Sequence, residues 1–177
     1  MHVSRNKWSR TSCGLLATLL LTCGLGAAAR PAQAAETLLN HKAPVFTRHD
    51  LKGQTINIAR LRGKVVLLNF WATWCAPCQA EMPKFSAWQK EYGPRGFQVI
   101  GISMDDSKAP VQKLVARLKL DYPIAMGDVK LGNLYGKVLG LPLTFLIDRH
   151  GVVRGEFQGG SDLKMMESMV RELLEKK

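Results

Sequence analysis

The hydrophobic positions of the chain form two continuous runs, each suited to a buried strand. These runs are 65–71 and 97–103, and segments that are apolar on both faces are typical of strands at the centre of a sheet. The sequence between the two runs predicts a helix that spans about 75–92 and ends at Gly93-Pro94. A strand–helix–strand unit is therefore expected in the middle of the chain.

Short strands and helices are expected in the rest of the chain. One helix should follow the cap candidates Asp105, Asp106 and Ser107, and the last helix should follow Ser161 or Asp162. The other expected elements are a short strand at 122–126, a short helix at 128–135, and a hairpin with strands at 143–147 and 152–157. Alternating elements followed by an antiparallel pair predict an α/β fold with a mixed central β-sheet and helices on both faces.

The first 34 residues differ from the rest and predict a signal peptide. A basic start, with no acidic residue before Glu36, leads into an apolar run at 13–29 and then into the cleavage pattern Ala32-Gln33-Ala34. We expect cleavage after Ala34 and a folded domain over 35–177. The main alternative is an uncleaved membrane anchor, because the apolar run is at the short edge of a bilayer span. A lipoprotein linked through Cys23 is a weaker alternative. Each of these interpretations places the domain outside the cytoplasm.

Charge and cysteine content narrow the class of protein. The formal net charge is +11, and it would fall to +7 without residues 1–34, which carry four basic residues and no acids. The basic residues form no block and no aromatic-interleaved motif, so no nucleic-acid partner is expected. Removal of 1–34 also removes Cys13 and Cys23. The remaining cysteines, Cys75 and Cys78, are too few and too close for a disulfide-stapled scaffold.

The two remaining cysteines have the spacing and setting of a redox pair. Thiol–disulfide exchange needs a thiolate, and a cysteine at a helix N-terminus, as predicted for Cys75, is stabilised as an anion by unpaired N–H groups and the helix dipole. Cys78 would lie one turn further along, close enough to form a disulfide and to resolve a mixed intermediate. Pro77 suits the first turn of a helix. The motif Trp74-Cys75-Ala76-Pro77-Cys78 therefore predicts a redox-active centre.

Two structural interpretations compete with the redox one. A structural zinc site needs about four ligands, and the chain after residue 34 adds only the widely separated His41, His49 and His150 to the cysteine pair. We therefore expect no metal. A static Cys75–Cys78 disulfide would close too small a loop to add much stability.

Longer motifs make the chain resemble a known family. The segment 69–78, Pro83 and the segment 140–148 resemble the thioredoxin superfamily, and more narrowly its TlpA/ResA/CcmG-like exported thiol–disulfide oxidoreductases. The resemblance covers roughly 43–177. It implies a thioredoxin-like fold and a catalytic dithiol that works without a cofactor.

The resemblance also implies roles for individual residues. Cys75 would be the exposed nucleophile and Cys78 the buried resolving thiol. Pro142 would follow a cis peptide bond, leaving the backbone of Leu141 free to pair with an extended client segment. An ordinary proline at the first residue of a strand is the alternative for Pro142. The implied client-binding residues are Trp74, Ala76, Pro77, Leu141 and Pro142.

Glu81 is the third catalytic candidate. It follows Cys78 by three residues on the same helical face and matches a glutamate of the TlpA/ResA group. A partly buried carboxylate there would exchange a proton with Cys78, whereas a solvated surface glutamate would not. The chain departs from the resemblance at two positions. Asn69 replaces the buried aspartate of general thioredoxins, and Leu143 replaces the threonine that commonly follows the cis-proline.

The expected function is reduction of disulfides in exported client proteins, in the periplasm or at the outer face of the cytoplasmic membrane. The resemblance implies a membrane electron donor of the DsbD/CcdA type. It also suggests clients in cytochrome c maturation or in assembly of the oxidase copper site. A copper-handling chaperone that uses the reduced pair is one alternative. A thiol peroxidase is a weaker alternative, because its pattern needs Pro and Thr where this chain has Leu68 and Ala72.

Overall fold

A five-stranded mixed sheet lies at the centre of the computed structural model, which describes residues 37–160 and 162–176. A separate two-stranded hairpin precedes it. In chain order the strands are β1 (Thr47–His49), β2 (Thr55–Asn57), β3 (Val65–Trp71), β4 (Phe97–Ser103), β5 (Ile124–Met126), β6 (Leu143–Ile147) and β7 (Val153–Gln158). The helices are α1 (Ala76–Tyr92), α2 (Lys108–Arg117), α3 (Val129–Leu134) and α4 (Leu163–Glu175), with 3₁₀ turns at Ile58–Leu61 and Gly93–Arg95.

The strand order of the sheet is β5-β4-β3-β6-β7. β3 runs parallel to β4, and β4 runs parallel to β5, whereas β6 is antiparallel to both β3 and β7. The predicted mixed sheet is therefore confirmed, as is the expected order of alternating elements followed by a hairpin.

Apolar side chains cover both faces of the sheet. One face packs against α1, α2 and α4, and its cluster includes Trp71, Cys78, Met82, Leu114 and Met166. The other face packs against α3 and the segment before β3, with Phe46, Ile56, Phe70, Leu131 and Tyr135 among its members. Every residue of β3 is buried, as expected for a central strand that is apolar on both faces.

The direction of the strands determines which ends meet. β3 and β4 are parallel, so their carboxyl ends, Trp71 and Ser103, pair at one edge of the sheet. β6 runs the other way, and its first residue, Leu143, pairs with Phe70 at that same edge. The loop after β3, the loop after β4 and the loop before β6 therefore converge, and this edge carries the candidate chemistry.

The helices begin and end close to the predicted residues, and the differences concern their caps. Cys75 is the N-cap of α1, and Asp162 caps α4 through the backbone amides of Lys164 and Met165. Ser107 is the N-cap residue of α2, but its side chain makes no capping hydrogen bond. The other cap candidate for α4, Ser161, and the predicted signal peptide lie outside the described residues. Among the helices that the structure describes, none is long and apolar enough to cross a membrane.

Candidate active site

Cys75 and Cys78 form a disulfide at the start of α1, with 5.3 Å between their Cα atoms. The backbone N–H of Cys78 also donates to Sγ of Cys75, at 3.3 Å. Cys75 is only 5% exposed and Cys78 1%. The expectation of an exposed Cys75 is therefore wrong for this disulfide form, because the Sγ of Cys75 is turned toward the first turn of the helix. Cys75 is still the more exposed residue of the two.

The residues around the pair divide between surface and core. Ala76 and Pro77 are exposed, and Trp71 is completely buried. Trp74, one of the implied client-binding residues, is 72% exposed because it precedes the helix at the outer edge of the sheet. Its indole is available as a contact surface beside the disulfide.

Pro142 lies at the same edge, at the start of β6. The peptide bond between Leu141 and Pro142 is cis, as the resemblance implies. Pro142 is buried and its carbonyl accepts a hydrogen bond from the amide of Gly159 at 2.9 Å. Leu141 is half-buried. Because Leu143 pairs with Phe70, this loop lies beside the end of the strand that leads to Cys75.

Asn69 is buried in β3, directly opposite Thr144 of β6. Its side-chain amide donates to the hydroxyl of Thr144 at 2.9 Å. The amide of Asn69 carries no charge, whereas a carboxylate at this position would require a partner for its charge. Leu143, the other departure, is also buried and packs in the core.

Glu81 is buried rather than solvated, with 5% of the residue exposed. It lies one turn after Cys78 on α1, and the next residue, Met82, is fully buried in the core beside the cysteines. The interpretation of Glu81 as a solvated surface residue is therefore wrong. A buried carboxyl group near a resolving thiol can take part in proton transfer, so the structure keeps Glu81 as a candidate.

The turn before Cys75 is held by residues that the sequence did not single out as functional. Asp105 accepts hydrogen bonds from the amide and the hydroxyl of Thr73, and also from the hydroxyl of Ser103. From the other side, Gln79 of α1 donates its amide to the carbonyl of Thr73 at 2.6 Å. The sequence marks Asp105 as a helix-cap candidate. Its partner Thr73 lies 32 residues away, and no local pattern signals such a contact.

Tyr122 of the neighbouring core is not suited to act as a base. Burial, and to a lesser extent the charge of Asp121, raises the pKa of Tyr122 far above its ordinary value. Tyr122 therefore stays protonated at any physiological pH.

Within 37–160 and 162–176, no group of three or more His, Cys, Asp or Glu side chains is placed to hold a metal ion.

Comparison with known sequences gives matches over most of the chain. Residues 39–156 match the AhpC/TSA family. A thiol–disulfide oxidoreductase named ResA, from Bacillus thuringiensis subsp. konkukian, is 34% identical over 136 residues, which cover 76% of this chain and 78% of that protein. A protein of the same name from Halalkalibacterium halodurans is 37% identical over 131 residues, or 73% of this chain and 72% of that protein.

Comparison with solved structures gives the same result for the fold. A thiol:disulfide interchange protein assigned as DsbE from Chlorobium tepidum superimposes with a TM-score of 0.73 and 30% identity, covering 78% of this chain and 99% of that one. A second structure from Chlorobium tepidum, of a thioredoxin-family thiol:disulfide interchange protein, has a TM-score of 0.70 and 30% identity, covering 81% and 99%. These likenesses confirm the predicted thioredoxin-like fold.

Proposed function

This chain belongs to the AhpC/TSA family and is a ResA- and DsbE-like thiol–disulfide oxidoreductase with a Cys75–Cys78 pair, and from that premise we propose that it reduces disulfides in exported client proteins. The clients we propose are apocytochrome c or the copper-site subunit of an oxidase. Both present cysteine pairs that must be reduced before they can bind haem or copper.

The observation that carries the proposal is the position of the disulfide. Cys75 is the N-cap of α1, so its sulfur lies where backbone N–H groups stabilise an anion. The loop that holds Pro142 lies at the same edge of the sheet, where an extended client could pair with the backbone of Leu141. A reactive sulfur beside a strand-binding loop suits exchange with a polypeptide disulfide.

The exchange proceeds in two steps that balance two electrons and two protons. In the reduced protein, the Cys75 thiolate attacks one sulfur of the client disulfide, the client S–S bond breaks, and the departing client thiolate takes up a proton. Cys78 then loses its proton and attacks the Sγ of Cys75. The mixed disulfide breaks, the second client thiol is released, and the Cys75–Cys78 disulfide forms.

Repeated turnover needs a source of electrons outside the cytoplasm. An envelope that is kept oxidising supplies no free reductant. We therefore propose that a membrane dithiol donor of the DsbD/CcdA type reduces the Cys75–Cys78 disulfide. The predicted signal peptide supports this location, either after cleavage at Ala34 or with the segment kept as an anchor.

Trapping the client tests the proposal. In a Cys78→Ser variant the mixed disulfide on Cys75 cannot be resolved, so client proteins should remain covalently attached and be released by dithiothreitol. A Cys75→Ser variant, which keeps Cys78, is the matched control and should trap nothing. Identification of the attached proteins by mass spectrometry from the envelope fraction tests the client class. Failure of Cys78→Ser to trap any protein, together with failure of the purified enzyme to reduce insulin, would contradict the proposal.

Export needs a separate test. The mature N-terminus of the protein, isolated from envelope fractions, should begin at residue 35 if the peptide is cleaved after Ala34. Recovery of the whole chain in the soluble cytoplasm would contradict export without affecting the assignment of the cysteine pair.

A further inference from the structure

A cleft of about 530 Å³ opens between the first turn of α1 and the outer face of α2. It is lined by Thr73, Gln79, Pro110, Lys113, Leu114 and Arg117. Thr73 lies two residues before Cys75, and Gln79 directly follows Cys78. The cleft therefore lies beside the turn that leads to Cys75 and extends along α2.

The α2 side of the cleft is positively charged. The lining residues of α2 recur at positions 110, 113, 114 and 117, which is the spacing of one helical face. Leu114 is 4% exposed and forms an apolar floor, whereas the side chains of Lys113 and Arg117 lie in solvent. α2 contains no acidic residue. Within the part of the chain that the structure describes, neither Lys113 nor Arg117 forms a salt bridge.

Arg117 is fixed in place by the active-site helix. Its guanidinium donates to Oε1 of Gln79 at 2.8 Å, and the amide of Gln79 donates to the carbonyl of Thr73. This chain of hydrogen bonds holds a cation at a set position relative to the turn before Cys75. A positioned guanidinium loses less side-chain entropy on binding a carboxylate than a freely rotating one.

We propose that this cleft docks an acidic segment of the client protein, next to the disulfide that Cys75 attacks. The inference rests on the proposed function and deepens it by naming the chemistry of the client. Carboxylates of the client would pair with Lys113 and Arg117, and an apolar side chain would contact Leu114 and Pro110.

The position of the cleft suits a segment that continues past the reacting disulfide. β3, which leads to Cys75, lies between β6 on one side and β4 on the other. The Pro142 loop precedes β6, and α2 follows β4. A client strand that pairs at Leu141 and crosses Cys75 would next reach the cleft.

The nearby carboxylates do not cancel this charge. Both oxygens of Asp105 accept hydrogen bonds from Thr73 or Ser103, and Asp105 is not among the lining residues. Asp106 is exposed on the loop before α2 and also lies outside the lining. The cleft itself therefore has two cations and no anion.

Three synthetic peptides test the proposal. They share the same internal disulfide, which is flanked by three glutamates, three serines or three lysines. We mix the full-length reduced protein in excess with each peptide, measure the second-order rate constant for reduction in a single turnover, and divide it by the rate constant with bis(2-hydroxyethyl) disulfide. At low ionic strength, the glutamate peptide should exceed the lysine peptide by about 10-fold, the effect of a few complementary charges at an interface rim. The preference should shrink at high salt, because exposed charges are screened.

Paired variants locate the effect. Lys113→Glu with Arg117→Glu should remove or reverse the preference, and Lys113→Gln with Arg117→Gln should bring the two charged peptides close to equal rates. The matched control, Arg60→Glu with Lys64→Glu, changes the net charge equally at the opposite edge of the sheet and should keep the preference. Loss of the preference in this control would show a net-charge effect and overturn the proposal.

Two outcomes separate this inference from the proposed function. If the protein reduces all three peptides at equal rates, the docking inference is overturned and the oxidoreductase function stands. If it reduces neither the peptides nor the small disulfide, the proposed function fails, and the docking inference fails with it.

Discussion

The carboxylate of Asp105 holds Thr73 by two hydrogen bonds, from the backbone amide at 2.9 Å and from the side-chain hydroxyl. Thr73 lies in the turn between β3 and Cys75, and Asp105 lies just after β4. The parallel pairing of β3 and β4 brings these two loops together. The start of α1 is thus fixed by a contact between neighbouring strand ends, in addition to its own helical hydrogen bonds.

Replacing Asp105 by Asn should loosen this turn. The change keeps the size of the side chain but removes charge-assisted acceptors, and it places an NH₂ group among donors. Hydrogen bonds to a charged group contribute about 1.5–3 kcal/mol each in proteins, so we expect the free energy of unfolding to fall by about 1–3 kcal/mol. Urea denaturation measures the loss. Asp106→Asn, at the exposed neighbouring position, is the control and should change stability little.

In the reduced protein, Cys75 should react with iodoacetamide well before Cys78 at pH 7. Cys75 is at the N-cap of α1, where the amide of Cys78 points at its sulfur and stabilises the thiolate. Cys78 is 1% exposed in the apolar core. Mass spectrometry of partially alkylated protein measures the order of reaction. Preferential labelling of Cys78 would reverse the assigned roles of nucleophile and resolving thiol.

The sequence predicted the elements of the fold because their signals are local. The limits of α1 follow from Cys75 at its start and from Gly93-Pro94 at its end, and the structure places the helix at Ala76–Tyr92. The fully apolar run of β3 likewise indicated a central strand, and all of its residues are buried.

Contacts between distant segments could not be predicted in this way. Helical spacing predicts that Glu81 lies on the same face of α1 as Cys78. It does not show whether that face is buried in the core or exposed to solvent. The hydrogen bond between Arg117 and Gln79 joins residues 38 positions apart, and no periodicity indicates it. Trp74 lies at the surface next to the disulfide, although large aromatic side chains are usually buried.

Asp148 should make stability depend on pH in the acid range. Burial by itself would raise the pKa of this carboxyl, but hydrogen bonds from Val152, Arg154 and His150 outweigh burial and hold the pKa below its ordinary value. A lowered folded-state pKa stabilises the fold fully above the unfolded value, about pH 4, and this contribution is lost as the pH falls through the folded value.

Asp148→Asn should therefore lower Tm at pH 7, and the difference from the unaltered protein should shrink as the pH falls from about 4 toward 2. Thermal unfolding followed by circular dichroism at several pH values measures both effects. Glu172→Gln is a suitable control, because that carboxylate is 61% exposed and pairs with Lys176 on the helix surface. A difference from the unaltered protein that stayed constant with pH would contradict the role of the Asp148 charge.

Glu81→Gln should slow disulfide reduction without large loss of stability. Cys78 must lose a proton before it can attack Cys75, and burial in an apolar core makes that loss unfavourable without a base. Asn69 is an amide bound to Thr144 and cannot accept the proton. Glu81 is buried one turn further along α1, and a carboxyl there can exchange the proton.

Glutamine keeps the size and polarity of the side chain but cannot titrate. We expect kcat to fall by roughly 10–100-fold, at or below the usual range for lost acid–base help.

The control for this prediction is Glu91→Gln, which changes an exposed glutamate on the same helix and should leave turnover unchanged. A purely structural role for Glu81 would alter the denaturation midpoint but not the shape of the pH–rate profile. A proton-transfer role predicts the opposite, because removing the titratable group removes its inflection from the profile of kcat against pH. Turnover and a pH profile equal to those of the unaltered protein would show that the buried carboxyl of Glu81 takes no part in the exchange.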